Sequence, residues 1–243
     1  MGRLQFVPTP FFGELRAFRH RATGAVVALA DAGVRFRRDG QYDGSGGIHD
    51  EAGAWTAAAD DTDAEFVGCP ITPRGRATPR QVRLPKAEWR QELQRDDSVL
   101  AIHIPPGAPM AFDACGDSIC TAAEFFPKHF PDRPFRAFAC GSWVLDVQFE
   151  DLLPTTSNLV RFQKEVYLFP TVGGTGEMPW QTKLRKPRSG ETPAKMTTMQ
   201  RAFYKHVEKG GRFHGGGCFL FPQDLKWGAQ VYRSQRLPWP WVK

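Results

Sequence analysis

Short apolar runs of strand character fill the first half of the chain. Arg3–Pro8, Leu15–Arg19 and Ala25–Leu29 are bounded by Pro, Gly or polar clusters, and Val34–Arg37 follows a turn at residues 31–33. Residues 39–47 hold too many glycines for regular structure and read as a loop. Ala54–Ala59 and Glu65–Cys69 flank an acidic stretch, which predicts a hairpin. Val82–Leu84 reads as a strand. Lys86–Leu93 is predicted as a short helix, because Trp89 and Leu93 fall four residues apart.

The pattern changes at Val99–Trp143. Five apolar residues around His103 form a strand, and Pro105-Pro106-Gly107-Ala108-Pro109 stops it. Cys115, Ile119, Ala122, Ala123 and Phe126 then recur at the spacing of one helical face, and a second strand opens at Pro134. A strand–helix–strand crossover leaves a loop and a helix N-terminus at one sheet edge, where anionic groups tend to sit. Antiparallel strands followed by such a crossover predict a mixed α/β, that is α+β, architecture.

Beyond it, Val147–Leu153 is predicted as a helix stopped by Pro154. Ser157-Asn158 either caps another short helix or leads directly into a strand at Val166–Phe169. Thr171–Lys195 is polar, Pro/Gly-rich and without periodicity, and reads as a long loop with the character of a lid. Thr197–Gln200 fits a capping box that opens a helix through Val207, ended by Gly210-Gly211. The tail LPWPWVK carries Trp239 and Trp241, which either dock on the chain's own core or anchor a partner.

Composition narrows the function classes. At 243 residues the chain buries a sizeable core without staples, and it reads as one domain. Within 1–243, residues 1–98 would supply antiparallel strands and 99–170 the strand–loop–helix–strand core. The long loop takes 171–195, and a helix, strand and tail fill 196–243. No apolar run approaches the ~20 residues of a membrane span, and no leader is visible, so a cytoplasmic location without membrane partners is expected. A net charge of +6 favours anionic partners. No helix-turn-helix, RNP-like or zinc-finger pattern supports nucleic acid among them, and the basic run at residues 183–188 reads as a solvated loop. Five cysteines without a CxxC pair read as buried free thiols, and six scattered histidines suggest no metal site.

Several longer stretches resemble a known family. HIPPGAP, FFPKHFPDRPFRAFACGSWVLD, LLPTTSNLVRFQKEVYLFP and TTMQRAFYKHVEKGGRFHGGG are similar to the C-terminal region of bacterial proteins described as acyltransferase domain-containing. That region belongs to the GCN5-related N-acetyltransferase (GNAT) superfamily. The resemblance implies a central, mostly antiparallel, splayed sheet with helices on both faces. Acetyl-CoA or another acyl-CoA would enter as co-substrate between a fourth strand, here Val99–Ile104, and a fifth, here Pro134–Leu145. The chain departs from the superfamily at the phosphate loop: PPGAPMAF replaces (Q/R)-x-x-G-x-(G/A), and its three prolines lack N–H donors. It also has Gly141 where relatives often carry His. Longer relatives add a helical N-terminal domain, so a separate helical partner or a homodimer would cover the surface which that domain meets.

The same resemblance implies site residues. His103 ends an apolar strand beside the loop and suits a general base toward an amine; the bland reading is a histidine held structurally at a strand end. Ser142 and Asp146, near the opening of the fifth strand, would orient substrate or relay a proton. Ile102, Ile104, Gly107, Ala108 and Met110 would meet acyl-CoA. Asn158 resembles an Asn near the CoA arm, against the equally good reading of a helix cap. Cys140 as a nucleophile lacks a neighbouring His, and Tyr167 could protonate a thiolate but suits the core.

The expected activity is acyl transfer from acyl-CoA to an amine of a small molecule or peptide. The alternatives are a GNAT-like binding or assembly module that has lost catalysis, and a GNAT-like scaffold acting on a small acid or amide.

Overall fold

The computed structural model describes residues 2–173 and 196–239. The lid-like reading of 171–195 and the basic run therefore lie largely outside the described residues, as does Trp241. Two five-stranded sheets and two small ladders organise the rest. The first sheet is built from β1 (Gln5–Pro10), β11 (Ser98–His103), β12 (Phe138–Ser142), β14 (Gly216–Leu220) and β13 (Tyr167–Pro170), in that spatial order. Only β11 and β12 run parallel; every other neighbour is antiparallel. The connection between that parallel pair is α1 (Phe112–His129).

The alternation read along β11 is realised as two faces. Leu100 sits beside Phe138 and Phe6 beside Ile102 in register, so these four share one side. Rings of Phe126, Phe135 and Phe138 meet in sequence and tie α1 to that side. Cys115, Ile119 and Ala122, three of the five predicted positions, are fully buried in the same cluster.

The opposite side, expected to carry helices, is covered around β13 and β14 by the second sheet. Its order is β10 (Trp89–Leu93), β2 (Leu15–His20), β3 (Val26–Ala30), β7 (Pro70–Thr72) and β8 (Arg76–Ala77). Tyr167 joins the two sheets: its hydroxyl donates to the Ile71 carbonyl at 2.5 Å and accepts the Ala28 N–H at 3.1 Å. Both sheets feed the largest buried cluster. A smaller one, with Phe18, Val27, Leu29 and Trp89, fills the outer face of the second sheet.

Four local expectations are corrected. Lys86–Leu93 is a strand after a turn, since i, i+4 spacing satisfies both a helical face and a two-residue period. A register shift between Gln91 and Leu93 then sends Trp89 and Leu93 into different clusters. The segments flanking residues 60–63 turn back on each other through an Ala59–Gly68 bridge and bonds from the Asp60 and Thr62 N–H groups to the Val67 and Glu65 carbonyls, without forming a strand ladder. Their strands pair elsewhere, β5 (Trp55–Thr56) with β4 (Arg35–Phe36) and β6 (Glu65–Gly68) with β9 (Val82–Pro85). The helix expected at Val147–Leu153 is the single turn α2 (Phe149–Leu152). Of the cysteines, Cys120 is exposed, facing away from the sheet on α1, while the other four are buried free thiols.

The remaining helices arise as their caps dictate. Ser157 accepts the Val160 N–H and starts α3 (Asn158–Glu165). Thr197 and Gln200 form a reciprocal capping box at the start of α4 (Thr198–Glu208). The short α5 (Val231–Ser234) places Tyr232 against Tyr167 and Phe219. The tail docks: Trp239 lies on Trp89 with ring centroids 5.9 Å apart.

Candidate functional site

β11 and β12 stay in register at only two pairs, Leu100–Phe138 and Ala101–Ala139. Past that point each keeps its outer partner. β11 stays bonded to β1 as far as His103–Gln5, and β12 to β14 as far as Ser142–Gly216. The two strands are thus held apart by their neighbours, and the gap between them is built into the sheet. The Leu100 N–H points at β12, where it bonds the Ala137 carbonyl. By alternation the Ile102 N–H faces the same way and closes the last ladder bond, to the Ala139 carbonyl, so the Ile104 N–H is the next to face the gap.

A cavity of about 900 Å³ occupies this gap. The expected residues Ile102, His103, Ile104, Gly107, Ala108, Met110, Ser142 and Asn158 all line it. Its far wall comes from the start of α3 and the first residues of α4, with Leu153 and Met199 adding apolar surface. The loop between β11 and α1 closes one end. Gly107 has φ +101°, which an L side chain rarely adopts, so a glycine is needed there for its backbone alone. Ala111 starts α1 without a side-chain cap, and the N–H groups of Gly107, Ala108 and Met110 donate to no described residue. They are available to an anionic ligand at the helix start, in spite of the three prolines.

Sequence reasoning missed Arg3, which also lines the cavity. Its guanidinium donates to the carbonyls of Ala108 (2.7 Å) and Pro109 (2.9 Å), and its own N–H bonds the Ser118 hydroxyl on α1. This clasp turns loop carbonyls toward β1 and holds the loop against the sheet. No local signal marks it, because its partners lie more than a hundred residues away.

Asp146 does not join the site. It is fully buried and accepts the N–H groups of His214 (2.6 Å) and Gln148 (2.9 Å). The Gln163 side chain donates to the Val144 and Asp146 carbonyls. Asp146 therefore fixes the 3-10 turn Trp143–Leu145, which replaces the predicted end of the fifth strand, against the segment before β14. Gly216 lets that turn approach, since a Cβ there would lie 2.1 Å from the Leu145 carbonyl oxygen. Asp146 positions the cavity's rim without touching its interior.

Ser142 starts the same turn, its hydroxyl accepting the Val144 N–H at 3.4 Å. The His103 imidazole is exposed at the strand end and hydrogen-bonds no described residue. At Asn158 the cap belongs to Ser157, which leaves the Asn158 side chain exposed beside the cavity. Burial pushes the Cys140 thiol up to about 12, so it stays protonated and is a poor nucleophile. Burial likewise raises Tyr167 far above the ordinary phenol value, and its hydroxyl is spent on the second sheet.

A mostly antiparallel sheet with one splayed parallel pair around a cleft is the architecture that the resemblance to the GNAT superfamily implies. The family comparison agrees: residues 1–220 match the model of the GNAT-like C-terminal domain, and the chain belongs to that family. No match was found among curated proteins. Among solved structures, the chain is similar to a mutant acyltransferase in complex with octanoyl-CoA. Identity is 24%, with 52% of this chain and 41% of that chain covered, at a TM-score of 0.44. It is also similar to an acyltransferase in complex with decanoyl-CoA. Here identity is 20%, with 65% and 46% covered and a TM-score of 0.43. A third structure, with decanoyl-CoA and teicoplanin, matches at 20% identity over the same shares, with a TM-score of 0.44. The chain thus spans less than half the length of each.

Proposed function

We propose that this chain transfers an acyl group from acyl-CoA to an amine of a small molecule or peptide. The observation that carries the reading is the parting of β11 and β12 after Ala101–Ala139 around a cavity of about 900 Å³. Such a gap in a sheet costs two strands' worth of ladder bonds and is kept only where something else uses the edges. In this reading the thioester lies along the end of β11, with its carbonyl toward the Ile104 N–H, which polarises it. The N–H groups of Gly107, Ala108 and Met110 and the start of α1 hold the phosphates, and Arg3 keeps that loop in place. Ile104, Leu153 and Met199 give the acyl-pantetheine arm apolar walls, and Asn158 bonds its amides. The amine nitrogen attacks the thioester carbon, forming C–N and breaking C–S. His103 takes the one proton that nitrogen gives up, and that proton goes on to the departing sulfur, which leaves as the free thiol. Ser142 orients the acceptor at the mouth.

A second reading has one observation in its favour. Three prolines in the loop remove N–H donors that a phosphate loop would use, which suits a scaffold that binds without transfer. Incubation with acetyl-CoA or octanoyl-CoA and a panel of primary amines, followed by mass spectrometry, separates the two. Transfer predicts acylated amine and free CoA in equal amounts. Bound acyl-CoA without product supports the scaffold.

A further inference from the structure

A second, smaller cavity of about 460 Å³ opens near the end of β12, and its lining includes Gly141, Ser142 and Trp143, which also line the first. The two cavities therefore meet across the end of one strand. The register explains the geometry. Gly141 lies in line with Gly217 and Phe169 and so points to the side of the sheet opposite Cys140 and Ser142. The smaller cavity uses residues from outside the crossover: Phe12 and Glu14 ahead of β2, Tyr42 in the glycine-rich loop, and Arg95 after β10.

Glu14 is the one acidic side chain in that lining. Tyr42 donates its hydroxyl to Glu14 Oε2 at 2.9 Å, and burial first, then Glu14 itself, pushes the phenol far above its ordinary range. Tyr42 is thus a permanent donor that fixes the carboxylate's orientation without accepting its role. On the other oxygen, Arg95 approaches at 3.4 Å, but its side chain is 57% exposed, so solvent screens that pair. A cation arriving from the cavity competes with Arg95 for that oxygen. The remaining walls carry the rings of Phe12, Trp143 and Phe169, which suit an apolar stem and the face of an ammonium. At Gly141 a Cβ would come within 3.0 Å of the Phe12 ring, so the glycine lets that ring lie against the strand end where the cavities meet.

We propose that this cavity receives the acyl acceptor, and that it selects a primary amine on an apolar, ring-sized stem, held as the ammonium by Glu14. The inference rests on the transfer reading for its purpose. Its test does not, because binding is read without acyl-CoA.

The probe is 2-phenylethylamine, titrated by calorimetry at neutral pH, with 2-phenylethanol as the uncharged control. Wild type is expected to bind the amine at least tenfold more tightly than the alcohol. Glu14→Gln should lose roughly tenfold in amine affinity and nothing for the alcohol. Arg95→Gln should gain severalfold, because it frees the carboxylate. That opposite sign decides the matter if Glu14→Gln fails to fold. Equal binding of amine and alcohol, no binding of either, or an Arg95→Gln variant with unchanged or weaker amine affinity overturns the proposal. The melting temperature of each variant with acetyl-CoA keeps the two claims apart. An intact acetyl-CoA shift with no amine selectivity defeats only the acceptor site. Amine selectivity with no acetyl-CoA shift defeats only the transfer reading.

Discussion

Ala101 and Ala139 face each other in register as the last bonded pair between β11 and β12. One residue further, Ile102 and Cys140 line opposite sides of an open cavity. Each strand is then drawn away by a partner it keeps to its end.

The base is tested by His103→Ala. In the transfer reading this substitution cuts turnover by about 10²–10⁴ and leaves acyl-CoA affinity nearly unchanged, since His103 acts on the acceptor's proton and not on the donor. Steady-state kinetics with a calorimetric Kd separates the two effects. Turnover equal to wild type would return His103 to a structural role.

The tail contributes to stability through its own core. A chain ending at Arg236 loses Leu237 and Trp239, both packed against the cluster around Phe18 and Trp89. The expected cost is about 1–3 kcal/mol, read as a lower urea midpoint with the oligomeric state unchanged by light scattering. An unchanged midpoint would show that the packing of Trp239 on Trp89 adds nothing.

The glycine-rich loop is tied down by carboxylates. Hydrogen bonds from the Arg38 side chain and from the Arg38 and Gly53 N–H groups hold the Asp50 carboxyl well below the usual range. Burial pushes Asp39 up, but bonds from Arg37 and the Gln41 N–H outweigh it and its carboxyl is also lowered. A carboxyl depressed in the folded state favours folding above its unfolded pKa. That contribution is lost progressively as pH falls from the unfolded value through the lower, folded one. Protection of the amides across residues 37–53 should therefore hold down to about pH 4 and fall progressively from there toward the lower, folded values. Asp50→Asn should give fast exchange there at neutral pH. Protection that is insensitive both to acid and to Asp50→Asn would contradict this.

Much of the site was legible because its signals are local. The period-two run at Val99–Ile104, the Pro/Gly stop and the helical spacing from Cys115 to Phe126 place strand, loop and helix in order, and the described structure follows them. The residues of the gap come with that order. What could not be read depends on contacts distant in sequence. Arg3 clasps a loop more than a hundred residues on, and Glu14 meets Tyr42 only through the second sheet. Asp146 looked like a site residue because it follows the fifth strand, yet the turn at Trp143–Leu145 carries it into the interior. At Lys86–Leu93 the sequence pattern itself is ambiguous, and only pairing with β2 decides it.

The central claim, that the gap between β11 and β12 is an acyl-CoA site, is tested most directly by titrating acetyl-CoA and octanoyl-CoA into the protein in a calorimeter, with melting curves on the same samples. The account predicts one binding event per chain for at least one of them, and a matching rise in melting temperature. At a ligand concentration of 100 Kd the stabilisation should be about 2.7 kcal/mol. No heat and no thermal shift with either thioester at millimolar concentration would contradict it.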